Sequence, residues 1–137
     1  MSQPPNEGPS QRRPHPSSMD EPYLEFDLGR EFEQLRREPE WERGQNAKTL
    51  VKFDTMRVVL TALKAQARIP EHQTEGRITV HAVSGHLVVH AEGRTSDLRA
   101  GAVLALDQGV RHDVEAVEDS AFLLTIAWPG KGDGDAP

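Results

Sequence analysis

The chain of 137 residues contains no cysteine, which excludes a disulfide framework, a thiolate metal site and a cysteine nucleophile. Its N-terminal stretch lacks the apolar core of a signal peptide, and no apolar run approaches the length of about 18 residues that spans a membrane. The formal net charge is -6 and no basic stripe is present, so the composition argues against nucleic-acid binding. We therefore expect a cytoplasmic protein that binds neither membranes nor nucleic acid.

The two ends of the chain have a different composition from the middle. Five of the ten prolines lie in residues 1–20, where large apolar residues are almost absent, and residues 130–137 are polar and glycine-rich. Such segments cannot bury enough apolar surface to offset the loss of chain entropy on ordering. The sequence therefore predicts disordered tails at 1–22 and 130–137.

Residues 23–46 are predicted to form a helical arm. Leu28, Phe32 and Leu35 recur at i, i+4 and i+7, which places them on one face of a helix. Asp27 is suited to capping the first turn, and Pro39 disfavours helical geometry at the residue before it. This apolar stripe can pack on the β domain of its own chain, which the next residues form, or on a neighbouring subunit. We favour packing on its own chain.

From residue 47 to residue 129 the apolar pattern changes to a period of two, which is typical of β-strands. Gly-containing or polar turn signals separate the runs, and no helical period interrupts them. Many short strands at close spacing indicate a mostly β domain, either a sandwich or a barrel. The eight predicted strands cover residues 49–53, 56–63, 77–83, 86–91, 94–98, 102–106, 110–117 and 121–128.

A spaced pattern occurs in the second half of this region. Gly101 is followed by five residues, Asp107, one residue, Gly109, two residues and His112, and three further residues separate His112 from Ala116. The pattern resembles the second motif of the cupin superfamily, in which proline is usual at the Asp107 position and asparagine at the Ala116 position.

The first cupin motif is matched less completely. Gln66 stands where glycine is usual, His72 matches the first histidine, Thr74 replaces the second and Ile78 replaces the glutamate, whereas Gly85 is retained. The chain thus resembles a small single-domain cupin of the type related to quercetin-dioxygenase-like cupins. The resemblance implies a double-stranded β-helix, or jelly roll, with a short helix before it.

Cupins that bind iron, manganese, zinc or nickel use three histidines and one glutamate from the inner strand faces, so the resemblance implies one such divalent metal. Only His72 and His112 remain at matching positions here, and two imidazoles alone bind metals weakly. Glu75 is the best substitute for a third ligand. Alternation predicts that His86 and His90 face solvent, on the opposite face to Leu87 and Val89.

Two functions remain open at this point. The first is a cupin that binds or senses a small molecule without redox chemistry, with a degenerate two-histidine site. The second is a metal-dependent cupin enzyme of the dioxygenase or isomerase type. Three arginines, Arg57, Arg77 and Arg94, are able to anchor an anionic ligand if one points inward. The predicted pocket residues are His72, Thr74, Ile78, Val80, His112 and Phe122.

We predict a homodimer, because edge strands of such barrels can pair across a two-fold axis and the helical arm can pack on a neighbour. Light scattering at micromolar concentration should give twice the mass of one chain. A monomer under those conditions would contradict the prediction.

Overall fold

The computed structural model describes residues 21–130, so the predicted tails fall outside it except for residues 21, 22 and 130. No helix in this part of the chain is long and apolar enough to cross a membrane. The elements in chain order are helix α1 (Leu28–Arg36), a 3₁₀ helix (Pro39–Arg43), and strands β1 (Gln45–Phe53), β2 (Met56–Leu63), β3 (Arg68–His72), β4 (Arg77–Ser84), β5 (His86–Ala91), β6 (Arg94–Arg99), β7 (Val103–Leu106), β8 (His112–Ala116) and β9 (Ser120–Ala127).

Helix α1 forms where the apolar spacing predicts it. The side chain of Asp27 caps it by accepting a hydrogen bond from the backbone N–H of Arg30, at 3.1 Å. Beyond α1, Pro39 begins the 3₁₀ helix, because the first helical position needs no N–H donor. The arm ends sooner than expected, since β1 already starts at Gln45, ahead of the predicted barrel start at residue 47.

The strands form two antiparallel sheets that face each other. The larger sheet has the order β1-β2-β9-β4-β7 and the smaller has the order β3-β8-β5-β6. Strands that are distant in sequence, such as β2 and β9, are paired along their whole length. This arrangement confirms the predicted mostly β jelly roll with one short helix before it.

Two apolar clusters lie on opposite faces of the larger sheet. The inner cluster fills the barrel between the sheets and includes Leu63, Ile78 and Phe122. The outer cluster joins α1 and Trp41 to the back of β1, β2 and β9. Because Phe32 and Leu35 belong to the outer cluster, the helix packs on its own barrel, as expected. Strands β2 and β9 are therefore buried on both faces along part of their length.

Strand β3 was not among the eight predicted strands. It reads Arg-Ile-Pro-Glu-His, is mostly exposed, and contains Pro70, which cannot donate to a strand ladder. Its pairing with β8 is also irregular between Ile69 and His72. A short, polar edge strand with a proline lacks the alternating pattern on which strand prediction depends, which explains the omission.

The turn between β4 and β5 depends on Gly85, which has a φ of +85°. Ser120 is fully buried beside it, and its hydroxyl accepts from the backbone N–H of His86 at 3.0 Å and donates to the carbonyl of Glu118 at 2.7 Å. A Cβ at residue 85 would collide with Ser120 Oγ and the carbonyl oxygen of Asp119, and would lie 2.8 Å from Ser120 Cα. Both the conformation and the lack of space require glycine here.

We predict that Gly85→Ala lowers the free energy of unfolding by about 3 kcal/mol or more, because left-handed strain and steric collision add. Gly93→Ala is the matched control: its φ is +69°, but a Cβ there meets nothing within 4 Å. The control should lose only about 1 kcal/mol, from strain alone. Chemical denaturation measures both, and equal losses would show that contact with Ser120 contributes nothing.

Candidate functional site

The two histidines of the predicted site lie at one end of the barrel. Strand β3 ends at His72 and β8 begins at His112, and short loops connect them to the start of β4 at Arg77 and the end of β7 at Leu106. In the larger sheet, the end of β9 at Ala127 lies between the start of β2 and the start of β4. Ala127 pairs with Met56 of β2 on one side and with Arg77 of β4 on the other. We call this end of the barrel the mouth.

His72 and His112 face each other across the β3–β8 pair at the mouth. Directly opposed residues share one face of a sheet, and Val114 and Ala116, which alternate with His112, belong to the inner apolar cluster. Both imidazoles therefore project from the inner face. Their ring centroids are 4.3 Å apart with an interplanar angle of 54°. His112 is only 3% exposed, whereas His72 is exposed.

Backbone carbonyls orient both rings in the same way. His72 Nδ1 lies 3.0 Å from the carbonyl oxygen of Pro70, and His112 Nδ1 lies 3.0 Å from that of Val110. A carbonyl oxygen can only accept, so each Nδ1 carries the proton and donates it. Each Nε2 then keeps its lone pair, and neither has a hydrogen-bond partner within residues 21–130. The pair presents two acceptors whose orientation is fixed from behind.

The environment of His112 favours its neutral form. Burial lowers the pKa of His112 below its ordinary value of 6.5, and the neighbouring His72 lowers it further. The carbonyl of Val110 and the charge of Asp113 act in the opposite direction without cancelling the effect. The Nε2 lone pair of His112 is thus available at neutral pH.

The remaining predicted pocket residues lie on the larger sheet or in the loop before it. The hydroxyl of Thr74 donates to the carbonyl of Gly76 at 3.0 Å, so its hydrogen bond lies within the β3–β4 loop. Ile78 is 3% exposed and pairs with Ile126 and Leu106 in the apolar wall of the mouth. Val80 and Phe122 are 1% and 3% exposed and belong to the inner cluster, farther from the mouth than Ile78.

Polar contacts join the β3–β4 loop to the β7–β8 loop at the rim of the mouth. Arg77 Nε donates to Asp107 at 2.8 Å, and the backbone N–H of Gly109 donates to the carbonyl of Thr74 at 2.8 Å. Arg111 lies 3.5 Å from Glu71. The backbone N–H of Gln108 and the guanidinium of Arg77 both lower the pKa of Asp107. Asp107 therefore organises the turn with hydrogen bonds.

The family model described as the cupin domain matches residues 59–128, which is half of the chain. The chain belongs to the cupin superfamily. Among the curated proteins, none matches this chain in sequence.

Solved structures of other proteins agree with the fold. A conserved protein of unknown function from Streptococcus pyogenes is 22% identical, with a TM-score of 0.66 over 81% of this chain and 98% of that one. KdgF from a Halomonas species is 21% identical, with a TM-score of 0.59 over 66% and 84% of the two chains. A salicylate 1,2-dioxygenase from Pseudaminobacter salicylatoxidans is 16% identical, with a TM-score of 0.58 over 61% of this chain and 26% of that one. At these identities the likeness concerns the fold alone.

The described part of this cupin does not bring together the donor set that a divalent metal requires. In residues 21–130, no group of three or more His, Asp, Glu or Cys side chains lies close enough to hold a metal ion. Glu75 is exposed and does not join His72 and His112, and Ile78 offers only hydrocarbon at the position of the family's glutamate. The residues present at the mouth thus do not fit the expected metal site.

At Gln66 the backbone has the conformation of the glycine that is usual in the first motif, although the residue type differs. It stands where glycine is usual and adopts a φ of +75°, a conformation that only glycine reaches without strain. Its backbone N–H donates to the carbonyl of Ala116 at 2.8 Å. The turn before β3 therefore keeps the glycine geometry at a strain of about 1 kcal/mol or more.

The outer face of the smaller sheet carries a polar network that the sequence did not reveal. Asp113 accepts from Arg68 at 3.1 Å and from His90 Nδ1 at 2.7 Å, and its side chain is 13% exposed. His86, predicted to face solvent, is only 12% exposed and lies 2.8 Å from Asp97. That prediction was wrong, because alternation fixes the face of a residue but does not show what covers it. His90, at 46%, is well exposed.

Sequence reasoning also missed the two carbonyls that orient the histidines. Pro70 and Val110 each lie two residues before their histidine, but any residue type supplies a carbonyl, so no signal in the sequence marks them. The rim contacts from Arg111 and Asp107 depend on two loops meeting in space, which is equally invisible in a sequence.

We predict that Asp113→Asn lowers the free energy of unfolding by about 1 kcal/mol at pH 7, because the amide cannot replace a carboxylate shared by two donors. Burial alone would raise the pKa of Asp113, but the hydrogen bonds and charges of His90 and Arg68 outweigh it and hold the pKa below its ordinary value of 3.8. The stabilisation is therefore present above pH 3.8 and is lost as the pH falls through the lower, folded-state pKa.

Denaturation of both proteins from pH 7 to pH 2 measures this difference. The two stabilities should converge in the acid range. A difference that stays constant across the series would show that the ionised carboxylate is not the stabilising group.

Proposed function

We propose that this cupin binds or senses a small organic molecule at the mouth of the barrel. The ligand donates hydrogen bonds to Nε2 of His72 and His112, and it rests on the apolar wall that includes Ile78. The observation that carries this proposal is the orientation of both imidazoles by the carbonyls of Pro70 and Val110. It leaves two neighbouring acceptors at the mouth, on the inner side of the smaller sheet, without a partner in residues 21–130.

The apolar surroundings support binding of a small organic molecule. Ile78, Ile126 and Leu106 belong to the inner apolar cluster or pack against it, so a ligand with hydrocarbon surface gains from burial there. Hydrogen bonds formed in such a place discriminate between ligands, since a bound ligand that lacks the donor would cover the imidazole acceptors from water without pairing them.

A metal-dependent enzyme is the second candidate, and one observation favours it. An imidazole whose Nδ1 donates to a backbone carbonyl has the tautomer with which histidine coordinates metals through Nε2. The shortage of a third donor in the described residues counts against it. We therefore rank it below the binding function.

Fragments that differ only in their donor test the binding function. Phenol, catechol and benzyl alcohol should shift the Nε2 resonances of His72 and His112 in long-range proton–nitrogen correlation spectra. Anisole, which has the ring without a donor, should shift them far less. His72→Ala should weaken the response to the alcohols, while His90→Ala, which removes an exposed histidine from the outer face, should leave it unchanged. If no alcohol in the panel shifts either Nε2 resonance, the proposal is wrong.

Elemental analysis of protein made without a histidine tag separates the two candidates. The binding function predicts metal well below one atom per chain, with no change in His72→Ala or His112→Ala. Stoichiometric iron or manganese that is lost in both variants, and whose removal by chelation abolishes a turnover, would replace the binding function with the enzyme.

A further inference from the structure

Arg57 on β2 projects from the inner face of the larger sheet. It pairs directly with Ile126 on β9, and Ile126 belongs to the inner apolar cluster. Opposed residues in an antiparallel pair have their side chains on the same face, so Arg57 and Ile126 both point into the barrel. Since Met56 and Ala127 mark the mouth, Arg57 lies one residue inside it, on the sheet opposite the two histidines.

Trp128 positions the guanidinium group. The Cζ atom of Arg57 lies 5.3 Å from the centroid of the Trp128 ring, within the range of a cation–π interaction. Trp128 itself packs against the inner cluster, and its backbone N–H donates to the carbonyl of Thr55 at 2.9 Å. An arginine held in this way is pre-organised for a ligand, because its side chain loses less freedom on binding.

The Nε–H donor of the Arg57 side chain has no acceptor in the described chain. Its Nε is buried and has no hydrogen-bond partner, the only buried side-chain nitrogen or oxygen atom in residues 21–130 of which this is true. A second cation, Lys52, stands opposite it on β1. A buried N–H without an acceptor and two like charges side by side are both unfavourable, and an anion bound between them would relieve both.

The other two arginines that the sequence offered as anchors differ from Arg57. Arg77 is 67% exposed and already paired with Asp107 at the rim. Arg94 is exposed at the start of β6. Only Arg57 of the three combines an inward direction, a stacked guanidinium and a buried donor without an acceptor.

We propose that Arg57 is a specificity-determining residue that binds the carboxylate of the ligand. This inference rests on the proposed function and names the ligand class, a small hydroxy acid whose hydroxyl reaches the histidines while its carboxylate reaches Arg57. The planar guanidinium matches a planar carboxylate with two parallel hydrogen bonds. The hydrocarbon part of such a ligand contacts the wall of Ile78, Ile126 and Leu106 while its carboxylate pairs with Arg57.

The probe pair 3-hydroxybenzoate and 3-hydroxybenzamide tests the proposal, because the two share a ring and a hydroxyl and differ in the charged group. Calorimetric titration of the full chain should show that the acid binds at least about 10-fold more tightly than the amide, as expected for a charge-assisted pair. Arg57→Gln should abolish that preference, and Arg57→Lys should reduce it since lysine keeps the charge without the fork.

Arg99→Gln is the matched control. Arg99 is an exposed arginine on β6 that lies opposite His86 of β5 in the strand register, at the end of the barrel away from the mouth. The control variant should keep the full preference for the acid. Arg57→Gln should melt close to the unchanged protein in the absence of ligand, because the loss of the cation–π contact with Trp128 and the removal of a buried donor that lacks an acceptor act in opposite directions. That result separates loss of an anchor from loss of the fold.

The outcomes distinguish the two proposals. If hydroxyl fragments shift the histidine resonances but the acid and the amide bind equally, or if Arg57→Gln retains the preference, the anchor is wrong and the binding function stands. Failure of both probes to bind, together with the absence of any histidine shift, would overturn the binding function itself.

Discussion

Burial of β2 and β9 on both faces is the constraint on which the rest of the structure depends. Leu60 and Ala121 face the helix side, while Leu63 and Phe122 fill the barrel. Helix α1 is held there by Lys48 of β1, whose ammonium lies 2.8 Å from Glu31, with both side chains 19% exposed. Because the helix covers the outer face of the larger sheet, β2 and β9 are shielded from solvent on that side while their inner faces line the barrel.

The mouth is shaped by contacts that need no bound metal. Strand pairing sets His72 opposite His112, two carbonyls fix the tautomers, and Asp113 ties β3 and β5 to β8 from the outer face. These contacts position the two imidazoles on the side of the smaller sheet. On the larger sheet Arg57 lies among Ile78, Ile126 and Leu106, so the two sheets contribute different chemistry: hydrogen-bond acceptors from one and a cation from the other.

The sequence predicts the barrel well because strand alternation and turn glycines can be recognised within short segments and recur along the chain. Alternation correctly placed Leu87 and Val89 inside, and the glycine spacing led to the β4–β5 turn, where Gly85 has the required positive φ. What it could not predict depends on contacts between distant segments. Strand β3 is defined by its partner β8 rather than by its own composition, and the place of Glu75 in the loop after His72 does not bring its carboxylate to the two histidines. The inward direction of Arg57 became clear only from its register with Ile126.

Strand β3 also has a consequence for how copies of the protein can meet. It is an edge strand of the smaller sheet, next to the histidines, and edge strands readily recruit further strands from other molecules. Pro70 has no N–H to offer, and the irregular pairing near His72 interrupts the ladder. This edge is therefore a poor template for intermolecular sheet growth, which disfavours aggregation at the side of the molecule where His72 lies.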